Sequence, residues 1–264
     1  MVMSRPFAIY ERHSSGAADN LSGVRIAITG GTSGLGLALV RECLARGARV
    51  AFVARTAAHV EQVAVENSGA HGIVGDVSNK EDIYPMAMQI TGELGGLDVL
   101  INNASDLGPV PLQMLSDTEC EDLERAFYTN VIGPFRLTKA LIGALTASGR
   151  EGGGAVVLNI SSDAAVSPYP AWGAYGSSKA ALHHLTRIWG EEHANENVHF
   201  LSLDPGDMNT PMHAAAMPDA DPASLKEPEE SARELVDVIA LTLSPNNESP
   251  ISPTKISTLQ GAVR

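Results

Sequence analysis

Tyr175 and Lys179 stand four residues apart in AYGSSKAALHHLTRIW, and Ser162 precedes the tyrosine by thirteen positions at the end of an apolar run. On a helix, side chains four apart share one face, so a phenol and an ammonium at this spacing are held side by side. A free tyrosine has a pKa of about 10, and a lysine cation about 5 Å away in an effective dielectric of about 20 favours the phenolate by roughly 3 kcal/mol, or about two pK units. The spacing therefore predicts a tyrosine able to give a proton to a carbonyl oxygen near neutral pH. The same pair also occurs on ordinary exposed helices, so the chemistry depends on what else the chain supplies.

The surrounding pattern alternates short apolar runs with helical stretches. VRIAIT (Val24 to Thr29) reads as a strand, followed by a helix from about Gly34 to Arg46, a strand ARVAFVA ending at Ala54, a helix after Thr56, and a short strand ending before Asp76. A helix over Lys80 to Leu94, the buried strand LDVLIN, one long amphipathic helix from about Asp117 to Thr146, and the strand AVVLNI come next. The helix bearing Tyr175 and Lys179, the strand VHFLSL, a helix from about Glu229 to Leu243 and a last strand near Thr254 to Thr258 complete the series. Parallel strands joined by helices satisfy this alternation, which predicts an α/β fold: a doubly wound Rossmann-type parallel sheet of about seven strands with helices on both faces. At 264 residues the chain is long enough for one such domain over 21–264, with a substrate lid around 207–228 where Ala, Met, Pro and Asp replace strand formers, and a mobile N-terminal extension over 1–20.

The formal net charge of −13 argues against nonspecific binding to nucleic acid or to an anionic membrane. Cys43 and Cys120 form neither a CxxC motif nor a disulfide framework, and no apolar run reaches the length of a membrane span, so a cytoplasmic protein is expected. No spacing of acids and histidines suggests a metal, and His183 and His184 are assigned no role.

Directly after the first strand, TGGTSGLG (Thr29 to Gly36) opens a helix. Glycines there let backbone N–H groups and the helix N-terminus approach a pyrophosphate. Just past the second strand, where dinucleotide folds read the adenosine ribose, an acid selects a free 2′-hydroxyl and an arginine accepts a 2′-phosphate. The residues here are Ala54 and Arg55, which predicts NADP(H) in preference to NAD(H).

Taken in order, these motifs resemble the short-chain dehydrogenase/reductase family, over about Leu21 to Thr210 and in the branch with TGxxxGxG and YxxxK. The resemblance implies a cofactor site formed by Gly30, Thr32, Ser33, Gly34, Leu35, Gly36 and Arg55, by Asp76 and Val77 after the third strand, and by Asn103, Ala104 and Ser105 of NNAS, in which Ser105 replaces the usual glycine. It adds Tyr175 and Lys179, then Pro205, Gly206, Met208 and Thr210 of DPGDMNTPM, with Thr210 bonding the carboxamide. It also implies a catalytic set of Asn130, Ser162, Tyr175 and Lys179: Tyr175 as general acid, Ser162 as donor to the substrate oxygen, Lys179 as tuner of the tyrosine and ribose anchor, and Asn130 holding a water that links Lys179 to solvent. Ser161 is the neighbouring candidate for the serine role.

The implied activity is reversible reduction of a ketone, aldehyde or diketone carbonyl, with a homodimer or homotetramer built on the Asn130 and Tyr175 helices. NNASDLGPV, PYPAWGAYGSSKAA and PGDMNTPM look most like the sepiapterin and benzil reductase side of the family. Pro211, where pterin reducers are expected to carry an acid, argues against a pterin, and Met212 and Met217 offer an adaptable apolar wall. The alternative is a catalytically silent dinucleotide-sensing or scaffold protein on the same fold.

Overall fold

The computed structural model of the chain describes residues 20–244. The predicted extension, apart from Asn20, and the last strand near 254–258 lie outside them. Six parallel strands among the described residues, β1 (Arg25–Thr29), β2 (Arg49–Ala54), β3 (Ala70–Val74), β4 (Val99–Asn102), β5 (Ala155–Ile160) and β6 (Val198–Leu203), form one sheet in the order β3-β2-β1-β4-β5-β6. Six rather than seven strands is therefore the described count, the seventh having been placed beyond residue 244.

β4 and β5 are buried at every position, which is why they read as apolar runs rather than alternating ones, their two polar residues Asn102 and Asn159 bonding each other at 2.8 Å. Helices α1 (Gly34–Ala45), α2 (Ala57–Glu66) and α8 (Pro228–Leu243) cover one face, where Leu39, Val60 and Ile239 pack on Ile26, Ile28 and Leu158. Helices α3 (Lys80–Leu94) and α5 (Gly133–Arg150) cover the other, packing Ile90 and Leu141 on Ala27, Leu100 and Val157. Alternate residues of one strand thus feed two cores. Strand order reverses between β1 and β4, and a crevice at the carboxyl ends of such a pair is where doubly wound sheets bind ligands.

The helix expected over 117–146 runs without a gap over 120–150 but changes pitch within it. α4 (Cys120–Phe127) runs into a π-helical turn, Tyr128–Ile132, before α5 begins at Gly133. Pro134, in the first turn of α5, has no N–H to give to the preceding turn, and the ladder widens there, Gly133 N–H bonding Tyr128 O. Gly133 fixes the position of the widening, since a Cβ on it would lie 2.7 Å from the Val77 carbonyl oxygen.

The 207–228 segment holds a short helix, α7 (Pro211–Ala216), and is tied at its two ends. Asn209 N–H donates to Lys226 O at 2.8 Å and Lys226 N–H to Asp207 O at 3.1 Å. Among the described residues no helix is long and apolar enough to cross a membrane.

At the amino ends of the central strands β1 and β4, Arg25 clasps Asp98 through Nη2–Oδ1 at 2.6 Å and Nε–Oδ2 at 2.9 Å. Burial pushes the Asp98 carboxyl up, but hydrogen bonds from Arg25 and Ser148 and the arginine charge outweigh it and leave the group below its ordinary value. A carboxyl depressed by folding contributes stability above its unfolded pKa and loses it as pH falls through the folded one. Wild-type Tm is therefore expected to fall below about pH 4, whereas Asp98→Ala loses about 3 kcal/mol at neutral pH, leaving Arg25 unpaired, and shows a shallower acid slope. Thermal melts from pH 3 to 8 check both.

Candidate active site

The first crevice wall is the turn between β1 and α1. Gly30 has φ 71°, and Cβ atoms built on it would lie 3.0 Å from both Ala104 Cα and Asn103 Nδ2. Gly36 is tighter still, its Cβ falling 2.0 Å from the Gly30 carbonyl oxygen. The turn is pinned from β4: Thr29 Oγ1 accepts from the N–H groups of Asn103 and Ala104 at 3.0 and 3.1 Å, and Asn103 Nδ2 donates to Thr29 O at 2.9 Å. Asn103 thus shapes the glycine turn with its own amide. Ser33 is the N-cap of α1 yet its hydroxyl makes no capping bond, so Ser33 and the N–H groups of the first turn face outward together.

A dinucleotide suits these groups. Arg55 is exposed and makes no hydrogen bond or ion pair among the described residues. It lines a cleft of about 440 Å³ with Val74, Gly75, Asp76, Asp82, Pro85 and Met86. Asp76 spends one carboxylate oxygen on Ser78, accepting from its N–H at 2.8 Å and its hydroxyl at 2.7 Å, and Val77 is buried beside it. Across the crevice, a Cβ on Gly34 would sit 3.3 Å from Thr210 Cγ2, which brings the loop after β6 onto the glycine turn. Thr210 Oγ1 caps α7 by accepting from His213 N–H at 3.2 Å, leaving its own proton free to donate. Pro205 O is held by Ser231 Oγ at 2.9 Å, Gly206 N–H bonds Asp204 Oδ1 at 2.9 Å, and Met208 packs on the core beneath. Thr32 and Leu35 complete the turn, partly buried and buried respectively.

α6 (Gly173–Glu192) carries the chemistry to the carboxyl end of β5. Lys179 is 2 % exposed, and its Nζ lies 5.5 Å from the Tyr175 ring centroid and donates to Ile160 O at 2.8 Å. Two of its three protons remain to be placed. Burial lowers the Lys179 ammonium to about 8, Asp204 opposing it, so the group stays mainly charged at pH 7.

Tyr175 does not behave as its spacing to Lys179 predicts. Burial pushes its phenol up to about 12, and the negative charges of Asp204, Asp163 and Asp207 add to that, with hydrogen bonding to Ser162 working the other way. Helical spacing reports the neighbouring cation; it contains neither the desolvation of the phenol nor three carboxylates arriving from other elements. Trp172 meets the Tyr175 ring edge-on at 5.8 Å.

Of the two serine candidates, Ser161 is buried with its N–H on Leu203 O, whereas Ser162 lies two residues past the strand and its hydroxyl donates to Asp163 Oδ1 at 3.1 Å. Asn130 lies in the π turn, 1 % exposed, with its amide fully committed. Nδ2 donates to Asp106 O and Ser178 Oγ, both at 2.8 Å, while Oδ1 accepts from Asp106 N–H at 2.8 Å and Ser105 Oγ at 3.1 Å. Those four bonds exhaust a carboxamide. The side chain is accordingly a clamp between α6 and the loop after β4, and does not itself hold the water expected of it. Ser105 fits where a glycine is usual because its φ is negative, and its hydroxyl joins the clamp.

Sequence reasoning missed Asp163, which bonds its neighbour Ser162 and Tyr169, and Ser178 and Asp204, which reach Asn130, Tyr175 and Lys179 only once the elements assemble. A second cleft, of about 520 Å³, opens beside the site between Ser105, Leu107, Pro109, Val110, Arg125 and Met212. Met212 and Met217 are both exposed, and Met212 alone of the two lines this cleft.

A family model described as short chain dehydrogenase matches residues 25–221. An uncharacterized oxidoreductase of Mycobacterium tuberculosis is 34% identical over 201 residues, covering 74% of this chain and 58% of its own, so this chain spans less than two thirds of that relative. A 2,5-dichloro-2,5-cyclohexadiene-1,4-diol dehydrogenase of Sphingobium indicum is 32% identical over 199 residues, 75% of this chain and 78% of the relative. Among solved structures, a 3-ketoacyl-(acyl-carrier-protein) reductase of Brucella melitensis complexed with NADH superposes with a TM-score of 0.77, at 29% identity, over 86% of this chain and 93% of that one.

Proposed function

This chain belongs to the short-chain dehydrogenase/reductase family, and we propose that within it the protein is an NADP(H)-dependent oxidoreductase that reduces a ketone, aldehyde or diketone to the alcohol. The observation that carries the reading is the convergence of Tyr175, Lys179 and Ser162 at one strand end, with the ammonium 5.5 Å from the phenol ring.

When bound, the nicotinamide dinucleotide supplies a hydride to the carbonyl carbon. Gly30, Thr32, Ser33, Gly34, Leu35 and Gly36 hold its pyrophosphate, Arg55 its 2′-phosphate, and Asp76 with Val77 its adenine. Asn103, Ala104 and Ser105 border the cofactor, and Pro205, Gly206, Met208 and Thr210 line its nicotinamide. Ser162 Oγ–H donates to the substrate oxygen, Tyr175 gives that oxygen its proton, and Lys179 uses a free N–H on the ribose. Residues 21–264 act as one domain, with 207–228 as the lid over a small-molecule substrate. A homodimer or homotetramer and a cytoplasmic setting go with this reading.

Oxidation of NADPH in the presence of 2,3-butanedione, benzil, benzaldehyde and cyclohexanone at neutral pH tests the proposal. Turnover of at least one supports it; tight dinucleotide binding without turnover of any favours the silent sensor or scaffold. For cofactor choice, the unpaired Arg55 supports NADP(H). Arg55→Ala is expected to lower the NADPH-to-NADH ratio of kcat/KM by at least about tenfold, the loss of a charge-assisted phosphate contact. An unchanged ratio sinks the assignment.

A further inference from the structure

The segment between β6 and α8 leaves the sheet and returns to it, and its two arms meet at one bridge. Lys226 N–H donates to Asp207 O at 3.1 Å and Lys226 O accepts from Asn209 N–H at 2.8 Å, so both main-chain groups of Lys226 are bound to the outgoing arm, on either side of Met208. α8 grips each arm separately. The buried Ser231 donates its hydroxyl to Pro205 O at 2.9 Å on the outgoing arm, and Glu234 holds the Lys226 ammonium of the returning arm with both carboxylate oxygens, at 3.0 and 2.8 Å. Ser231 and Glu234 stand three apart and share one face of the helix. Neither Lys226 nor Glu234 lines the two clefts, and their reach into the site runs through the backbone. Asn209, whose N–H the Lys226 carbonyl holds, is followed directly by Thr210, which lies over Gly34 of the glycine turn.

We propose that Lys226, held by Glu234, is a positioning residue for the cofactor: through the bridge at the lid base it fixes Met208 and Thr210 against the nicotinamide end of the dinucleotide. The inference rests on the dinucleotide reading above and adds to it a control point outside the site. Closing a long loop costs conformational entropy, and two main-chain bonds to the exposed Asp207 and Asn209 do little against it alone. An ion pair to a helix packed on the core removes that freedom at the base, while α7 above it stays free to move. Lys226 is 26 % exposed and Glu234 47 %, so water screens the pair in part and its effect is modest. The effect falls on one end of the ligand. Arg55 and Asp76 follow β2 and β3 in the other half of the sheet, beyond this chain of contacts.

Two ligands tell the ends apart: NADPH, and adenosine 2′,5′-bisphosphate, which keeps the 2′-phosphate and lacks the nicotinamide. In calorimetric titrations of the full-length chain, Lys226→Met is expected to bind NADPH about three- to fivefold more weakly and the bisphosphate within about 1.5-fold of wild type. Lys226→Glu sets two acids together and loses more, whereas Lys226→Glu combined with Glu234→Lys recovers most of that loss. Hydrogen exchange at the Asn209 amide, measured without ligand, is expected to be severalfold faster in both single variants and near wild type in the exchanged pair. Unchanged NADPH affinity in Lys226→Met overturns the inference, as does equal weakening of both ligands, which would mean a general loosening of the fold. An exchanged pair that recovers nothing overturns it too. Failure of the wild-type protein to bind NADPH overturns the dinucleotide reading instead, and exchange at Asn209 then decides whether the ion pair holds the lid base.

Discussion

Tyr175→Phe is expected to lower kcat/KM for carbonyl reduction by about 10²–10⁴-fold while leaving dinucleotide affinity within about threefold of wild type, the range that positioned proton transfer contributes. Phenylalanine keeps the ring that meets Trp172 edge-on and loses only the hydroxyl, so the packing of α6 on the loop before it survives. Lys179 retains its bond to Ile160 O, and the protons proposed for the ribose are untouched. Single-turnover oxidation of bound NADPH measures the chemical step, and quenching of tryptophan fluorescence by the dinucleotide measures binding. A Tyr175→Phe protein within threefold of wild type in turnover rules out the tyrosine as proton donor. Equal loss of binding and turnover means instead that the hydroxyl holds the cofactor.

The parts of this architecture that depend on neighbours in sequence were legible there. α3 runs over Lys80–Leu94 as expected because both ends are written locally: Asn79 caps it with a side-chain bond to Glu81 N–H, acids occupy the first turn, and Gly95 in a left-handed conformation ends it. The central strands declared themselves as apolar runs, broken only by Asn102 and Asn159, because they are buried on both faces. What depends on distant contacts was not legible. The π turn before α5 owes its place partly to Gly133 meeting the Val77 carbonyl, a contact across 56 positions of chain.

The acidity of Tyr175 failed for the same reason. A lysine four residues away is visible in the sequence, but Asp204 and Asp207 reach the tyrosine only because β6 lies beside β5, and desolvation is a property of the assembled site. Asn130 illustrates an intermediate case. Its residue type and place were readable, yet the loop groups and Ser178 that consume its side-chain amide were not.

Gly36→Val is the second substitution with a large expected effect, through the backbone rather than through chemistry. A Cβ at this position would stand 2.0 Å from Gly30 O and 2.6 Å from Asn103 Nδ2. Neither can yield cheaply. Gly30 is part of the turn proposed to approach a pyrophosphate, its N–H is spent on Val53 O at 2.8 Å, and Asn103 is the side chain that pins the turn to β4. Relief of the clash therefore moves α1 away from the turn and opens the anion site at its N-terminus. Overpacking of this kind costs about 1–3 kcal/mol, or roughly 3–10 °C in Tm for a chain of this size, and dinucleotide affinity is expected to fall by at least about 100-fold. Gly92→Ala is the matched control: it lies in α3 with nothing within 4 Å of the added carbon, so helix propensity alone acts and Tm rises slightly. Calorimetry and NADPH titration of both variants separate a general intolerance of larger residues from a turn that must remain bare. Gly36→Val binding NADPH as tightly as wild type removes the pyrophosphate from this turn.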